Sequence, residues 1–192
     1  MFVSTLALLT TVSGALGAAR YEQSSPAAPA VLSTDPSDPK LFDKVAFYPD
    51  RNIARALSDL RISADRVALI VPQGDTYETA TPGETAHAAR TTEFMVIMAD
   101  RDLSIDSKQM TPSARTPGIL NIKDLAVQLL VQKSFSIESH VIYFAPSAGA
   151  IVQLGWQEDN KAPVADMRGR ECWHQLFLAN AGSLRTSIGR RT

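Results

Sequence analysis

The sequence predicts an α+β domain: a mainly antiparallel sheet with two helices packed on it, plus an N-terminal helix and an extended arm. Three observations carry this prediction. Apolar runs of strand length recur along the chain, at RVALIV (66–71), TTEFMVIMAD (91–100), HVIYFAP (140–146), AIVQLGW (150–156) and CWHQLFLAN (172–180). Between residues 41 and 180 only two segments combine helical apolar spacing with a start signal. The late strands follow one another without intervening helices, which favours antiparallel pairing over a doubly wound sheet. The expected division is 1–19 as an apolar helix, 20–40 as a Pro-rich linker or arm, 41–180 as the domain, and 181–192 as a basic tail.

At the N-terminus, Phe2, Leu6, Leu9, Val12 and Leu16 recur at roughly helical spacing, so the segment reads as a packed helix. The alternative is a secretory signal, because Ala15, Gly17, Ala18 and Ala19 are small enough for a cleavage site. Against it, no Lys or Arg precedes Arg20, so the positive n-region is missing. Ser4, Thr5, Thr10, Thr11 and Ser13 argue against a membrane span. Residues 21–40 carry Pro26, Pro29, Pro36 and Pro39. Prolines at this density forbid a helix and favour an extended chain, reaching across the domain or onto a neighbouring subunit.

Lys44–Tyr48 is a short strand. Pro49 and Asp50 then open a helix with Ile53, Ala56, Leu57 and Leu60 on one stripe. RVALIV reads as a central strand closed by Pro72 and Gly74. Residues 73–90 are polar, with two glycines and a proline, and read as a long exposed loop. TTEFMVIMAD is the second strong strand, apolar on both faces from Phe94 to Met98, and a further loop covers 101–116. Thr116 as N-cap and Pro117 at the first helical position start the best helix, with Ile119, Ile122, Ala126, Leu129 and Leu130 facing the core. Ser147-Ala148-Gly149 reads as the turn of a hairpin between the two strands flanking it. The closing strand is CWHQLFLAN, followed by a polar, basic end.

Charge and cysteine content exclude some functions. With 19 Lys+Arg against 20 Asp+Glu over 192 residues, the net charge is −1, unlike a protein held on nucleic acid by bulk charge. The single cysteine, Cys172, excludes an intrachain disulfide framework and a multi-cysteine zinc site. Cys172 and His174 share a strand face and, with His140 or Glu171, suggest a metal site; a buried Cys beside a satisfied His is the simpler reading. Ser147 lacks the glycine pattern of a nucleophile elbow. Asp75, Glu78, Glu84 and His87 lack calcium-loop spacing, and Gly74 stands alone rather than in a phosphate-binding loop. Arg185, Arg190 and Arg191 form a small basic cluster near the end, and Trp156 and Trp173 read as packing residues. No catalytic residue, cofactor or metal site is expected.

From Val45 to Leu178 the layout resembles the tail-terminator proteins of long-tailed bacteriophages, most closely the Mu-like type. A helix with IARALSDL precedes RVALIVPQGDTYE; TEFMVIMADRD follows; then come GILNIKDLAVQLL, VIYFAPSAGAIVQLGW and CWHQLFLAN. The resemblance implies a structural virion protein without enzyme activity, located in the tail or neck and assembled in the host cytoplasm. It implies a homo-hexameric ring that caps the tail tube, ends its polymerisation and joins the neck. The implied partners are the tail tube protein, a neck or head-completion (connector) protein and a sheath-terminator contact. DNA would pass through the lumen without specific binding, and no membrane is involved. The 73–90 and 157–170 segments are the expected contact loops on the axial faces of the ring. The candidate contact residues are Asp75, Tyr77, Glu78, Glu84, Asp159, Lys161, Arg168, Arg190 and Arg191. The competing reading is an exported periplasmic or extracellular binding module with residues 1–19 as its signal.

Overall fold

A computed structural model describes residues 2–26, 28–47, 64–79, 85–101, 117–151 and 170–187. Among them it is a mixed α and β fold with mostly antiparallel pairing. The strands are β1 (Arg20–Glu22), β2 (Val31–Ser33), β3 (Lys44–Phe47), β4 (Arg66–Thr79), β5 (Thr85–Arg101), β6 (Phe135–Ile137), β7 (His140–Ile142), β8 (Phe144–Ile151) and β9 (Arg170–Ser187). The helices are α1 (Thr5–Ala18) and α2 (Ile119–Val131).

The main sheet has the order β3-β4-β5-β9-β8. Only β3 and β4 run parallel, from Lys44 opposite Val67 to Phe47 opposite Ile70. A parallel neighbour needs a crossover of a dozen or more residues, and the chain from 48 to 65 supplies that length. The helix expected from Asp50 to Leu60 falls in this stretch, outside the described residues.

Both faces of the sheet centre are apolar and buried. On one, Ala68, Ile70, Phe94, Val96, Met98, Phe177 and Ala179 join Leu8, Leu9, Val12 and Leu16 of α1 and Ile119, Ile122, Leu125, Ala126, Leu129 and Leu130 of α2 in one core. Phe94 anchors it, stacked on Phe177 at 5.4 Å and edge-on to Phe144 at 5.5 Å. On the other face Val67, Leu69, Val71, Ile97 and Ala99 are also buried. Burial on both sides is why 66–71 and 94–99 read as continuous apolar runs rather than alternating ones.

Four sequence expectations change. Residues 73–79 and 85–90 are strand rather than loop: β4 runs on to Thr79, β5 begins at Thr85, and the ladder between them reaches Thr79 opposite Ala88, while 80–84 lie outside the described residues. Thr76, Tyr77, Thr79, Thr85, Thr91 and Thr92 are strand-formers, and pairing satisfies their backbones without an apolar pattern. Secondly, Ser147-Ala148-Gly149 does not turn. The three residues lie inside β8 at a register shift between Pro146 and Gly149, after which Ala150 pairs with His174. The Gln175 amide fills this bulge by donating to the Ala148 carbonyl at 3.3 Å. Thirdly, β9 continues through Ser183–Ser187, where a flexible basic end was expected, because β5 offers it a partner as far as Thr85. Fourthly, α2 is capped by Gly118 at φ 79° rather than by Thr116, with Ile122 N–H donating to the Gly118 carbonyl at 2.9 Å.

The Pro-rich segment folds back on the domain rather than extending. β1 and β2 pair antiparallel, Tyr21 opposite Leu32. Tyr21, Ala30, Leu41 and Phe42 are buried in the main core. Asn121 of α2 clamps the Ala30 backbone, accepting from its N–H at 2.6 Å and donating to its carbonyl at 3.3 Å. Arg66 lies over the Tyr21 ring, donates to its hydroxyl at 2.6 Å and pairs with Asp43 at 3.3 Å. At the Asp35 turn, hydrogen bonds from the Ser37 hydroxyl and backbone hold the carboxyl below its ordinary range, helped by Arg20.

Candidate interaction surface

Past Val71, β4 leaves the helix-covered core. Every residue from Pro72 to Glu78 is exposed. Among the described residues, β3 pairs with β4 as far as Ile70. Proline has no N–H to donate to a ladder, so Pro72 fits a bulge, here the register shift between Pro72 and Gly74. The distal halves of β4, β5 and β9 together make a three-stranded flange. Its base is marked by register shifts between Pro72 and Gly74 in β4 and between Ala89 and Thr91 in β5. Bulges of this kind bend and twist a strand. Gly74 sits at φ 151°, a backbone angle that suits glycine.

The root of the flange is tied to the N-terminal segment. Arg90, nearly buried, donates to the Val3 carbonyl, packs over the Phe2 ring at 5.3 Å and faces Asp75 at 3.9 Å. Thr92 Oγ1 donates to Asp75 Oδ1 at 2.6 Å. Phe2 also meets Tyr77 edge-on at 6.0 Å. Charge, hydrogen bonding and ring contact therefore converge on one short stretch, and the residues immediately before α1 become a strap across the flange.

Of the residues expected to contact partners, Asp75, Tyr77 and Glu78 lie together on the exposed part of β4. Tyr77 keeps 56% of its surface in solvent despite the Phe2 contact. Asp75 is turned inward to Arg90, so Glu78 is the carboxylate left at this edge. Glu84, Asp159, Lys161, Arg168, Arg190 and Arg191 lie outside the described residues. Arg90 and Thr92 were not singled out by sequence reasoning. Their signal was Arg90 as an isolated cation among β-forming threonines.

The other sequence candidates do not converge. Cys172 stands opposite Ala99 in the β5–β9 ladder, and its side chain is outside the described set. His174 is half-buried between Ile97 and Ala150 on neighbouring strands. His140 Nδ1 meets the Glu138 carbonyl at 2.8 Å in the β6–β7 turn. Among the described residues no group of three or more His, Cys, Asp or Glu is placed to hold a metal ion. A groove of about 560 Å³ runs between the end of α1, β2 and the end of α2, floored by Ala15, Leu32, Leu129 and Phe135 and edged by Arg20 and Lys133. Among the described residues no helix is long and apolar enough to cross a membrane.

Comparison with protein-family models finds no match, and comparison with curated proteins finds no relative.

Proposed function

We propose that this protein is a structural ring subunit of a phage-type tail, acting as a tail terminator: a homo-hexamer that caps the tail tube, stops its growth and joins it to the neck. In this reading it is a virion protein assembled in the host cytoplasm, without enzyme activity or cofactor. Its partners are the tail tube protein, a connector protein and a sheath terminator, and DNA passes through the lumen unread. One observation carries the reading. A three-stranded flange continues past the helix-packed core, its β4 strand is exposed from Pro72 to Glu78, and among the described residues no cluster of metal-ligating groups accompanies it. A surface of that kind serves assembly, because strand edges recognise other strands. The net charge of −1 is compatible with a lumen that does not grip DNA.

Burial of Leu8, Val12 and Leu16 in the same core as the sheet supports the version of this reading in which residues 1–19 stay with the chain. Size-exclusion chromatography with light scattering, followed by negative-stain imaging, tests the proposal. The expected result is a closed ring of six copies. A particle of one-subunit mass at tens of micromolar would refute it.

A further inference from the structure

We propose that the groove between the ends of α1 and α2 binds a small single-chain amphiphile with an anionic head, of the class of a medium- or long-chain carboxylate. The inference stands apart from the ring reading, because the groove lies within one copy of the chain.

Apolar contact sets the body of the ligand. The floor is Ala15 of α1, Leu32 of β2, Leu129 of α2 and Phe135 of β6. Leu129 is buried; the other three are half-buried and pack against the main core. The core therefore surfaces here as an apolar slot. Its volume of about 560 Å³ lies within the range of small-molecule sites, about 300–1,000 Å³. Phe135 is held in place by Phe144, with 5.1 Å between ring centres. A preformed wall of this kind loses little freedom on binding.

Charge selects the head group. Arg20 and Lys133 line the groove, and no Asp or Glu does. Arg20 is partly committed, since it donates to the Asp38 carbonyl and helps to lower the Asp35 carboxyl. Lys133 is exposed and its ammonium meets no hydrogen-bond or ion-pair partner among the described residues. The side-chain amides of Gln128 and Gln132, which also line the groove, meet none among the described residues either. A carboxylate at this rim accepts from the Lys133 ammonium and from an amide, and charge-assisted bonds of that type are the strong ones. A cationic head would meet two like charges instead. Three elements wall the slot, which suits one chain taken from solution rather than a lipid surface.

The same cations have a competing role. α1 ends at Ala18 and α2 at Val131, so Arg20 and Lys133 each follow a helix C-terminus by two residues. Basic groups there offset the partial negative charge of the last carbonyls. That role needs no ligand.

Calorimetric titration of the full-length protein with sodium dodecanoate, below its micelle concentration, separates the two. The expected result is saturable binding of one dodecanoate per chain. Lys133→Glu should weaken it by roughly tenfold or more, whereas Lys133→Arg should keep it. Ala18 is exposed and lines the groove. Ala18→Trp should fill the slot and abolish binding, with circular dichroism showing the fold intact. Dodecyltrimethylammonium, with the same tail and the opposite charge, should bind about tenfold more weakly or less. This probe needs no variant, which keeps the test decisive if one fails to fold. A wild-type chain without saturable dodecanoate binding would overturn the proposal. Equal binding of the two amphiphiles, or binding indifferent to Lys133→Glu, would overturn the anionic head and leave Lys133 to the helix end. Binding indifferent to Ala18→Trp would overturn the site. Cosedimentation with phosphatidylglycerol vesicles in place of dodecanoate binding would overturn the free ligand in favour of a lipid surface. Each of these failures leaves the ring reading standing, since the titration reads the groove alone.

Discussion

Glu138 and Ser139 stand at φ 48° and 67°, two consecutive non-glycine residues in the left-handed region. They form the two-residue turn between β6 and β7, where Ile137 faces His140. Such a turn favours Asn-Gly, so this one is strained. The Glu138 carboxylate compensates by accepting from Ser4 N–H at 2.8 Å, placing negative charge at the start of α1. Ser139→Gly should relieve the strain without touching that bond, stabilising the fold by about 0.5–1 kcal/mol; a urea melt would show it. Arg90 is the opposite case, since removing it costs several interactions at once. Arg90→Met loses the Val3 and Asp75 contacts and leaves a carboxylate facing an apolar side chain, at a cost of about 2 kcal/mol or more. Hydrogen exchange should then rise in residues 2–4 and in 73–78 together, because the strap joins them. The turn left no sign in the sequence, and Arg90 showed only as an isolated cation among threonines. A turn's dihedral angles and a contact spanning 87 residues are set only by folding.

At the scale of elements, α1 shows how a sequence signal can be right about conformation and silent about place. Leu8, Val12 and Leu16 are fully buried, whereas Leu6 is 72% exposed. The helix was legible from apolar spacing at Leu9, Val12 and Leu16, but the same spacing suits a signal segment. Tertiary contact with β3, β4, β6 and α2 is what ties it to the domain. Leu16→Ala should destabilise the protein by about 2–5 kcal/mol, as a cavity in a core of this kind does, measurable by chemical denaturation. A surface helix would lose less than about 0.5 kcal/mol. Residues 73–90 teach the complementary lesson. Their polar composition and two glycines suggested a loop, yet they are largely strand, because pairing depends on a partner edge rather than on hydrophobicity. The Ser147-Ala148-Gly149 bulge has the composition of a turn for the same reason: small residues serve bends of either kind.

At the scale of the whole molecule, the fold separates into a core and a projection. The core is held by packing on both sides of β4 and β5; the flange is held by backbone pairing and the Phe2–Arg90 strap. On the proposed ring reading, the core supplies stability and the flange serves assembly.

Composition and periodicity alone determined the mixed α and β class, the apolar centres of β4, β5 and β9, and the helical stripe of α2. Those are properties of local pattern, since burial on a strand or helix face imposes a residue period that any reader of the chain can see. Tertiary structure alone decided that the Pro-rich segment folds back onto α2, that the polar stretch after Val71 becomes a flange, and that its outer edges lack a partner among the described residues. Backbone pairing is the physical reason. Every residue but proline carries the same donor and acceptor, so which strand meets which, and where a ladder ends, leaves little mark on the side chains.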